Sequence, residues 1–313
     1  MDEFERRALI VSSASISQAY IMRVPRLSLL PVLAREIFGR REFPREPEPD
    51  LVMDDPEQVA AYSEAGRVDG TMSANYLFHS ALITQTIQGC AQVLDLGCGP
   101  ATQLGQVAAL NPETVFTGVD LSTSMLQDAE KHVSALGLHN VRVQQDDITA
   151  LRSIPDQSVD AVISTLALHH LPTHEHLRCC FGAIARVLRP GGALYLADFG
   201  RLKSLKSVLY FAYMNADRQP HIFSLDYERS LRASFEFADY QNFAPTLPAG
   251  VQVHSTFKVP FMIILKTAGR PMDKGLMSKL QTMRAALPAR YRHDLEDLSL
   301  FFRLGGLPPH PFS

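Results

Sequence analysis

Between residues 91 and 198, short apolar runs alternate with helical patterns, and this alternation constrains the fold more than any other feature of the chain. AQVLDL (91–96), TVFTGVD (114–120), VRVQQD (141–146), VDAVIST (159–165) and GALYLAD (192–198) are apolar at nearly every position, as strands buried on both faces of a sheet are. The spacing between them predicts helices. From Ser122 to Leu136, the residues Met125, Leu126, Ala129, Val133 and Leu136 share one face, and Gly137 follows as a C-terminal cap. From Thr173 to Leu188, the apolar positions Leu177, Phe181, Ile184 and Leu188 repeat until Arg189-Pro190-Gly191-Gly192 stops the helix. Strand, helix, strand, repeated, means a parallel sheet with right-handed crossovers. VQVHSTF (251–257) and PFMIILK (260–266) lie too close together for a crossover helix, so they pair as an antiparallel hairpin. The expected class is α/β: a doubly wound, mostly parallel seven-stranded sheet with an antiparallel last hairpin, plus accessory N- and C-terminal helices.

Composition narrows the partners. Lys plus Arg is 30 against 33 Asp plus Glu, a net charge of −3. A chain whose main partner is nucleic acid needs an excess of Lys and Arg to neutralise phosphates, so that class is set aside. No apolar window approaches the ~18 residues of a membrane-spanning helix. The four cysteines, Cys90, Cys98, Cys179 and Cys180, are too few for a disulfide scaffold, and MDEFERRALIVSSAS is acidic before it is basic, unlike a secretory signal. A reducing cytoplasm is the expected compartment.

The chain divides into four stretches. Residues 1–50 read as accessory helices and a linker. In 1–40, Pro25 and Pro31 interrupt a helical pattern of Leu27, Leu29, Leu30, Val32, Leu33, Ile37 and Phe38 with basic Arg23, Arg26, Arg35, Arg40 and Arg41. That pattern suits a helix packed on the domain, with a membrane-surface helix as the alternative. REFPREPEPD (41–50) holds three prolines and four acids and reads as the linker. Residues 51–90 are helical, broken near Gly66 and Gly70; 91–267 form the core, with 201–250 inserted as a cap; 268–313 are a helical extension. In that extension a helix is expected from Asp273 to Leu287 and an amphipathic stretch around Asp294–Phe302.

The densest chemical signal is Val93-Leu94-Asp95-Leu96-Gly97-Cys98-Gly99-Pro100-Ala101-Thr102, at the end of the first strand and before a helix. In such sheets ligands bind beyond the carboxyl ends of the strands, and glycines let the backbone turn and approach them. A dinucleotide fingerprint would place a third glycine where Thr102 stands. Asp120 ends the second strand, where a carboxylate can accept hydrogen bonds from both ribose hydroxyls of an adenosine ligand. Asp146 and Asp147 end the third strand, where one can accept from an adenine amino group. Each acid alone would be an ordinary loop or cap residue; three strand-end acids in register with a glycine turn point to a nucleoside.

VLDLGCGPATQ, GVDLS, VRVQQDDI, VDAVISTLALHHL and RVLRPGGALYLADF, in this order and spacing over residues 91–200, resemble the successive motifs of the class I S-adenosylmethionine-dependent methyltransferases. The hairpin at 251–267 is similar to the reversed last strands of that Rossmann-like fold. Within the family, the chain looks like the small-molecule type that includes ubiquinone and menaquinone C-methyltransferases. The resemblance implies S-adenosylmethionine as cofactor and methyl transfer to a small molecule by in-line displacement. It implies that Gly97 and Gly99 pass under the methionine part, that Asp95 receives the cofactor's amino group, and that Asp120, with Leu121 beside it, holds the ribose. It further implies Asp147 and the Ile148 amide at the adenine and Ser164 at the methionine end.

Carbon and phenol acceptors need a general base, whereas amines need only be neutral. His169 and His170 follow the fourth strand and are the candidates, with wall packing as the plain alternative. Tyr62, Tyr76 and His79 fall in the segment that relatives fold over the cofactor, making them lid candidates. In the cap, Phe211 and Tyr213 belong to an apolar, aromatic run that suggests a hydrophobic or aromatic acceptor. The cluster His169, His170, His174, His176, Cys179, Cys180 has neither zinc-finger nor HExxH spacing, so no metal is assigned. The terminal helices offer a surface for a homodimer. Three other functions remain open: a dinucleotide-dependent oxidoreductase, a non-catalytic S-adenosylmethionine-binding subunit, and non-methylating chemistry with the same cofactor.

Overall fold

The computed structural model describes residues 27–49, 56–66 and 70–312. Two units are distinguished, 1–31 and 32–313. The helical pattern expected over 1–26 lies outside the described residues. A single turn at Leu27–Leu29 leads into α1 (Leu30–Phe38), which from Val32 onward belongs to the second unit; Pro31 falls in its first turn and removes no helical hydrogen bond.

The second unit is built on a seven-stranded sheet. Its strands are β1 (Gln92–Leu96), β2 (Val115–Asp120), β3 (Val141–Gln145), β4 (Val159–Thr165), β5 (Leu188–Phe199), β6 (Gln252–Ser255) and β7 (Met262–Lys266), in the order β3-β2-β1-β4-β5-β7-β6. All neighbours from β3 to β5 are parallel, and β7 runs antiparallel to both β5 and β6. The helices before and between the strands are α2 (Pro56–Ala65), α3 (Ser73–Thr86), α4 (Thr102–Leu110), α5 (Thr123–Ala135) and α6 (His174–Val187). After β5 come α7 (Leu205–Tyr213), α8 (His221–Ala233) and α9 (Phe237–Phe243), and after β7 come α10 (Lys274–Ala286) and α11 (Ala289–Leu304).

Local sequence explains the boundaries. Ser122 caps α5 by accepting from the Met125 amide, and Gly137 ends it at φ +64. Thr173 and Asp273 cap α6 and α10 in the same way. One face of the sheet, with Leu94, Leu96, Val162, Leu194 and Leu196, packs on Leu177, Phe181, Ile184 and Val187 of α6 and on Tyr240 of α9. α3 is buried nearly all round, between the sheet and α11, with Phe78 stacked on Phe302 at 5.4 Å. The C-terminal helices thus cover this chain's own α3, and the surface expected to pair two copies is in part taken up. Two expectations change. β3 is an edge strand, only partly buried, because among the described residues nothing pairs beyond it. Leu136, expected on the buried face of α5, is 50% exposed at the helix end.

The largest correction concerns 41–50. The described part, 41–49, is a strap bound along its length and not a free linker. Glu42 N donates to Lys203 O (2.9 Å) and Glu46 N to Arg232 O (3.2 Å). Just before the strap, the buried Glu36 carboxylate accepts from the amides of Lys203 and Ser204. The anchor is Arg45: Nε donates to Ala233 O and Nη1 to Pro172 O, both at 2.6 Å, while Nη2 donates to Leu171 O at 2.6 Å and His169 O at 3.1 Å. Its guanidinium also lies 3.9 Å over the Phe235 ring. Prolines suit such a strap because an extended chain loses little by lacking their amide donors. Arg45→Ala leaves four carbonyls without their charged donor and should destabilise the fold by about 3 kcal/mol in chemical denaturation. An unchanged midpoint would mean that the strap is not fastened there.

Candidate active site

β1 alternates its side chains, so that Leu94 and Leu96 face the core while Asp95 points to the opposite side, towards α3 and α4. At the end of the strand Gly97 has φ +65, and a Cβ there would lie 2.4 Å from the Cβ of Ala167, so only glycine fits. The amides of Gly97 and Cys98 donate to Val119 O at 2.8 and 3.0 Å. Asp120, ending β2, accepts from Gly99 N on one oxygen and from Ser122 N on the other, both at 2.9 Å. One carboxylate thereby ties the glycine loop to the start of α5, and each of its oxygens keeps a lone pair for another donor.

These loops line a cleft of about 200 Å³ with Tyr62, Gly97, Asp120, Leu121, Met125, Asp147, Ile148, Leu166, Ala167, His170 and Leu171 on its walls. A smaller inner pocket, bounded by Asp95, Tyr76, Thr102 and Thr165, shares Tyr62 and Gly97 with it. Asp95, Gly97, Asp120, Leu121, Asp147 and Ile148 are therefore gathered around one hollow; Gly99 stands just behind it, its amide on Asp120.

The two acids after β3 separate cleanly. Asp146 is engaged by the amides of Asp147, Arg152 and Ser153 and by the Ser153 hydroxyl, so it braces its own loop. Asp147 uses one oxygen on Thr149 and faces the cleft. Ser164 departs from expectation. It is fully buried and its hydroxyl donates to Leu96 O at 2.8 Å, so the side chain ties β4 to β1 while Ile163 and Thr165 line the inner pocket.

The two histidines also differ. His169 is 2% exposed, with Nδ1 2.6 Å from Asp198 Oδ1 and its amide donating to Asp198 Oδ2. It is fixed inside the wall. His170 lines the cleft, and its Nδ1 lies 2.7 Å from Glu48 Oε2. Glu48 comes from the strap and also accepts from the Ser230 hydroxyl at 2.9 Å. Burial works against the Glu48 charge, but the hydrogen bonds from His170 and Ser230 and the nearby His169 pull its pKa down to about 2. Burial likewise opposes charge on His170, yet the bond to Glu48, with Asp198 and Asp226 beyond it, lifts its pKa above that of a free imidazole. Donor atoms of Glu48, His169 and His170 lie within 4.8 Å of one another, but an ion there would have to displace the Glu48–His170 hydrogen bond. The suspected His/Cys cluster does not converge: His174 pairs with Asp239, His176 bonds Thr173, and Cys180 is in the core. Glu48 was invisible as a site residue in the sequence because it sits in a segment with linker composition.

Of the lid candidates, Tyr62 on α2 reaches both parts of the cleft and accepts from the Tyr76 hydroxyl at 3.2 Å. His79 does not reach the cleft. It is fully buried with Nδ1 2.6 Å from the Tyr195 hydroxyl, and burial pushes its pKa down to about 3, because α3 turns this face into the sheet. Phe211 is stacked on Phe261 at 4.0 Å, and Tyr213 donates to Glu228 on α8. Both hold the cap together and line neither part of the cleft.

Residues 93–192 match the family described as a methyltransferase domain. Over this segment the core is similar to the class I S-adenosylmethionine-dependent methyltransferases. The chain is 40% identical over 107 residues to a trans-aconitate 2-methyltransferase of Deinococcus radiodurans, covering 33% of this chain and 36% of that one. It is 28% identical over 123 residues to a demethylmenaquinone methyltransferase of Tropheryma whipplei, covering 39% and 48%. The match thus spans less than half the length of either relative. In fold, the methyltransferase core resembles the plantazolicin methyltransferase BpumL in complex with SAH, at a TM-score of 0.52 and 16% identity over 75% of this chain and 88% of that one. It also resembles a protein of Pyrococcus horikoshii OT3, at 0.51 and 15% over 69% and 100%.

S-adenosylmethionine is the cofactor of this family, and the cleft suits it. Asp95 is buried, with no donor on its carboxylate among the described residues; burial first, then the charge of Asp120, pushes its pKa up to about 8. A pocket with two buried acids favours a ligand that carries positive charge. Without ligand, Asp95 is protonated in the folded chain at pH values where the unfolded chain has lost that proton. Its contribution to stability is therefore complete below the ordinary value of 3.8 and is lost as pH rises through about 8. A bound cation reverses the preference and expels the proton. Calorimetry in two buffers of different ionisation enthalpy should show proton release on S-adenosylmethionine binding at neutral pH, absent in Asp95→Asn; equal release in both would contradict this role.

Proposed function

We propose that the chain transfers a methyl group from S-adenosylmethionine to a small hydrophobic or aromatic acceptor by in-line displacement. When bound, the cofactor supplies a methyl group already activated by its sulfonium. Asp95 and the Gly97 loop would receive the methionine end, Asp120 the ribose hydroxyls, and Asp147 with the Ile148 amide the adenine. The carrying observation is the Asp120 carboxylate, fixed by two amides at the floor of the cleft with acceptor capacity to spare. Leu121, Met125, Leu166, Leu171 and Tyr62 give that cleft apolar walls, which exclude water from the reacting atoms and favour dispersal of charge in the transition state. The chain's task is then alignment: holding an acceptor at about 3 Å from the methyl carbon, in line with the bond that breaks.

The relatives' names, from trans-aconitate to demethylmenaquinone and 27-O-demethylrifamycin SV, span unlike acceptors. What they share with this chain is the cofactor half, which is why the acceptor has to be sought in α2, the strap and the cap. Absence of a membrane-spanning helix among the described residues is compatible with the cytoplasmic setting we favour.

Asp120→Ala should weaken S-adenosylmethionine binding by about 2 kcal/mol, the scale of hydrogen bonds lost from a charged group, as read by calorimetry. Unchanged affinity would remove Asp120 from the site. Incubation with the cofactor and a small-molecule extract should yield a product one methylene heavier by mass spectrometry; release of methylthioadenosine in place of S-adenosylhomocysteine would point to other chemistry.

A further inference from the structure

We propose that Glu48 and His170 form a proton-accepting pair in the cleft, and that the acceptor is accordingly one that gives up a proton on methylation, a neutral hydroxyl or an acidic carbon, and not an amine. The inference rests on the methyl-transfer reading above and adds the substrate class and a positioning residue. Four observations carry it.

His170 has one nitrogen on a carboxylate, Nδ1 to Glu48 Oε2 at 2.7 Å, and its ring lines the cleft beside Asp120, Leu166 and Ala167. Among the described residues nothing bonds Nε2. A carboxylate on Nδ1 fixes the proton there, so a neutral His170 presents the Nε2 lone pair to the cleft. His169 cannot do the same, because it is sealed against Asp198 at 2% exposure.

Glu48 is held for this task. Its second oxygen is taken by Ser230 at 2.9 Å, and Arg45, three residues earlier, is locked to the carbonyls of His169, Leu171 and Pro172. The strap and the histidine turn are thus fastened to each other on both sides of the pair.

The acids that act on His170 are Glu48 from the strap, Asp198 from β5, Asp226 from α8 and Asp120 from β2; the basic groups around it are its neighbour His169, the Arg45 guanidinium on the His169 and Leu171 carbonyls, and His176 in the cleft lining. The acids stabilise an imidazolium once it forms. Asp226 itself is pushed up to about 6, by burial first and then by Glu48.

The chemistry calls for such a pair only with a protic acceptor. A neutral hydroxyl that attacks a methyl carbon must lose its proton, or the product is an oxonium, and an acidic carbon must lose its proton to supply the electron pair; a neutral amine needs no base. The new O–C or C–C bond forms as the C–S bond breaks, sulfur keeps the electron pair of that bond, and the acceptor's proton passes to His170 Nε2 and then to water. Glu48 acts through His170 and touches no reacting atom.

The test uses the full chain and Glu48→Gln, with Glu48→Asp as the conservative variant. NMR titration of His170 with S-adenosylhomocysteine bound should show its pKa falling by roughly one pH unit or more in Glu48→Gln and recovering in Glu48→Asp. An unmoved His170 pKa overturns the pair. Calorimetry of S-adenosylhomocysteine in the same samples separates this from failure of the methyl-transfer reading: both variants should bind it as wild type does, and a wild type that does not bind it sinks the earlier reading instead. With methyl-labelled S-adenosylmethionine and a small-molecule extract, the label should appear as an O-methyl or C-methyl group and not on nitrogen. Turnover should rise with pH along a limb that moves down in Glu48→Gln while kcat drops by about tenfold or more. An N-methylated product, or a turnover abolished by a metal chelator, overturns the acceptor assignment.

Discussion

β1 lies between β2 and β4, with parallel partners on both sides, and the site depends on that placement. The chain leaves β1 towards α4 and β2 on one side, and the loop after β4 leads to α6 and β5 on the other. The two loops part at the carboxyl edge of the sheet and leave a hollow between them. Two close approaches then shape the hollow. Gly97 lets the first loop pass against Ala167 of the second, where a side chain would collide. Asp120 draws the glycine loop onto the end of β2 through the Gly99 amide. An isolated loop of this composition would have no reason to keep that shape; the sheet imposes it.

Around this frame the distribution of charge is lopsided. Asp95, Asp120, Asp147, Glu48, Asp198 and Asp226 surround the cleft or stand just behind it, while Arg45 is tied to four backbone carbonyls and Arg201 donates to Phe43 O. Buried acids without cations raise their own pKa values, as Asp95 does, and a cationic ligand relieves that cost. The protein therefore carries its electrostatic debt in the place where a sulfonium and an ammonium would settle. Glu48 and Asp198 are compensated from within the chain, Asp198 by the sealed His169 and Glu48 by His170 and Ser230, and at Glu48 the partner is a histidine open to the cleft.

The sheet was legible in the sequence because buried strands and capped helices are local patterns. Ser122, Thr173, Asp273 and Gly137 are punctuation that acts within four residues, and all four do so here. The gathering of Asp95, Gly97, Asp120 and Asp147 was legible because topology alone brings strand ends together. What could not be read depends on contacts between distant parts of the chain. Glu48 and Arg45 look like residues of a solvated linker until their partners, more than 100 positions away, are known. His79 and Ser164 have the polarity of site residues, but each meets a buried partner first, Tyr195 and the Leu96 carbonyl. In the cap, Phe211 and Tyr213 are aromatic for packing, a use that composition cannot distinguish from contact with an acceptor.

The central claim is that the hollow between the β1 and β4 loops holds the cofactor. A crystal structure of the protein with S-adenosylhomocysteine tests it most directly. The account predicts ribose hydroxyls on the Asp120 carboxylate, the adenine beside Asp147 and Ile148, and the sulfur turned towards the face that carries His170. Ligand density elsewhere, such as the groove between α4, α5 and α10, with Asp120 bonded only to Gly99 and Ser122, would contradict it.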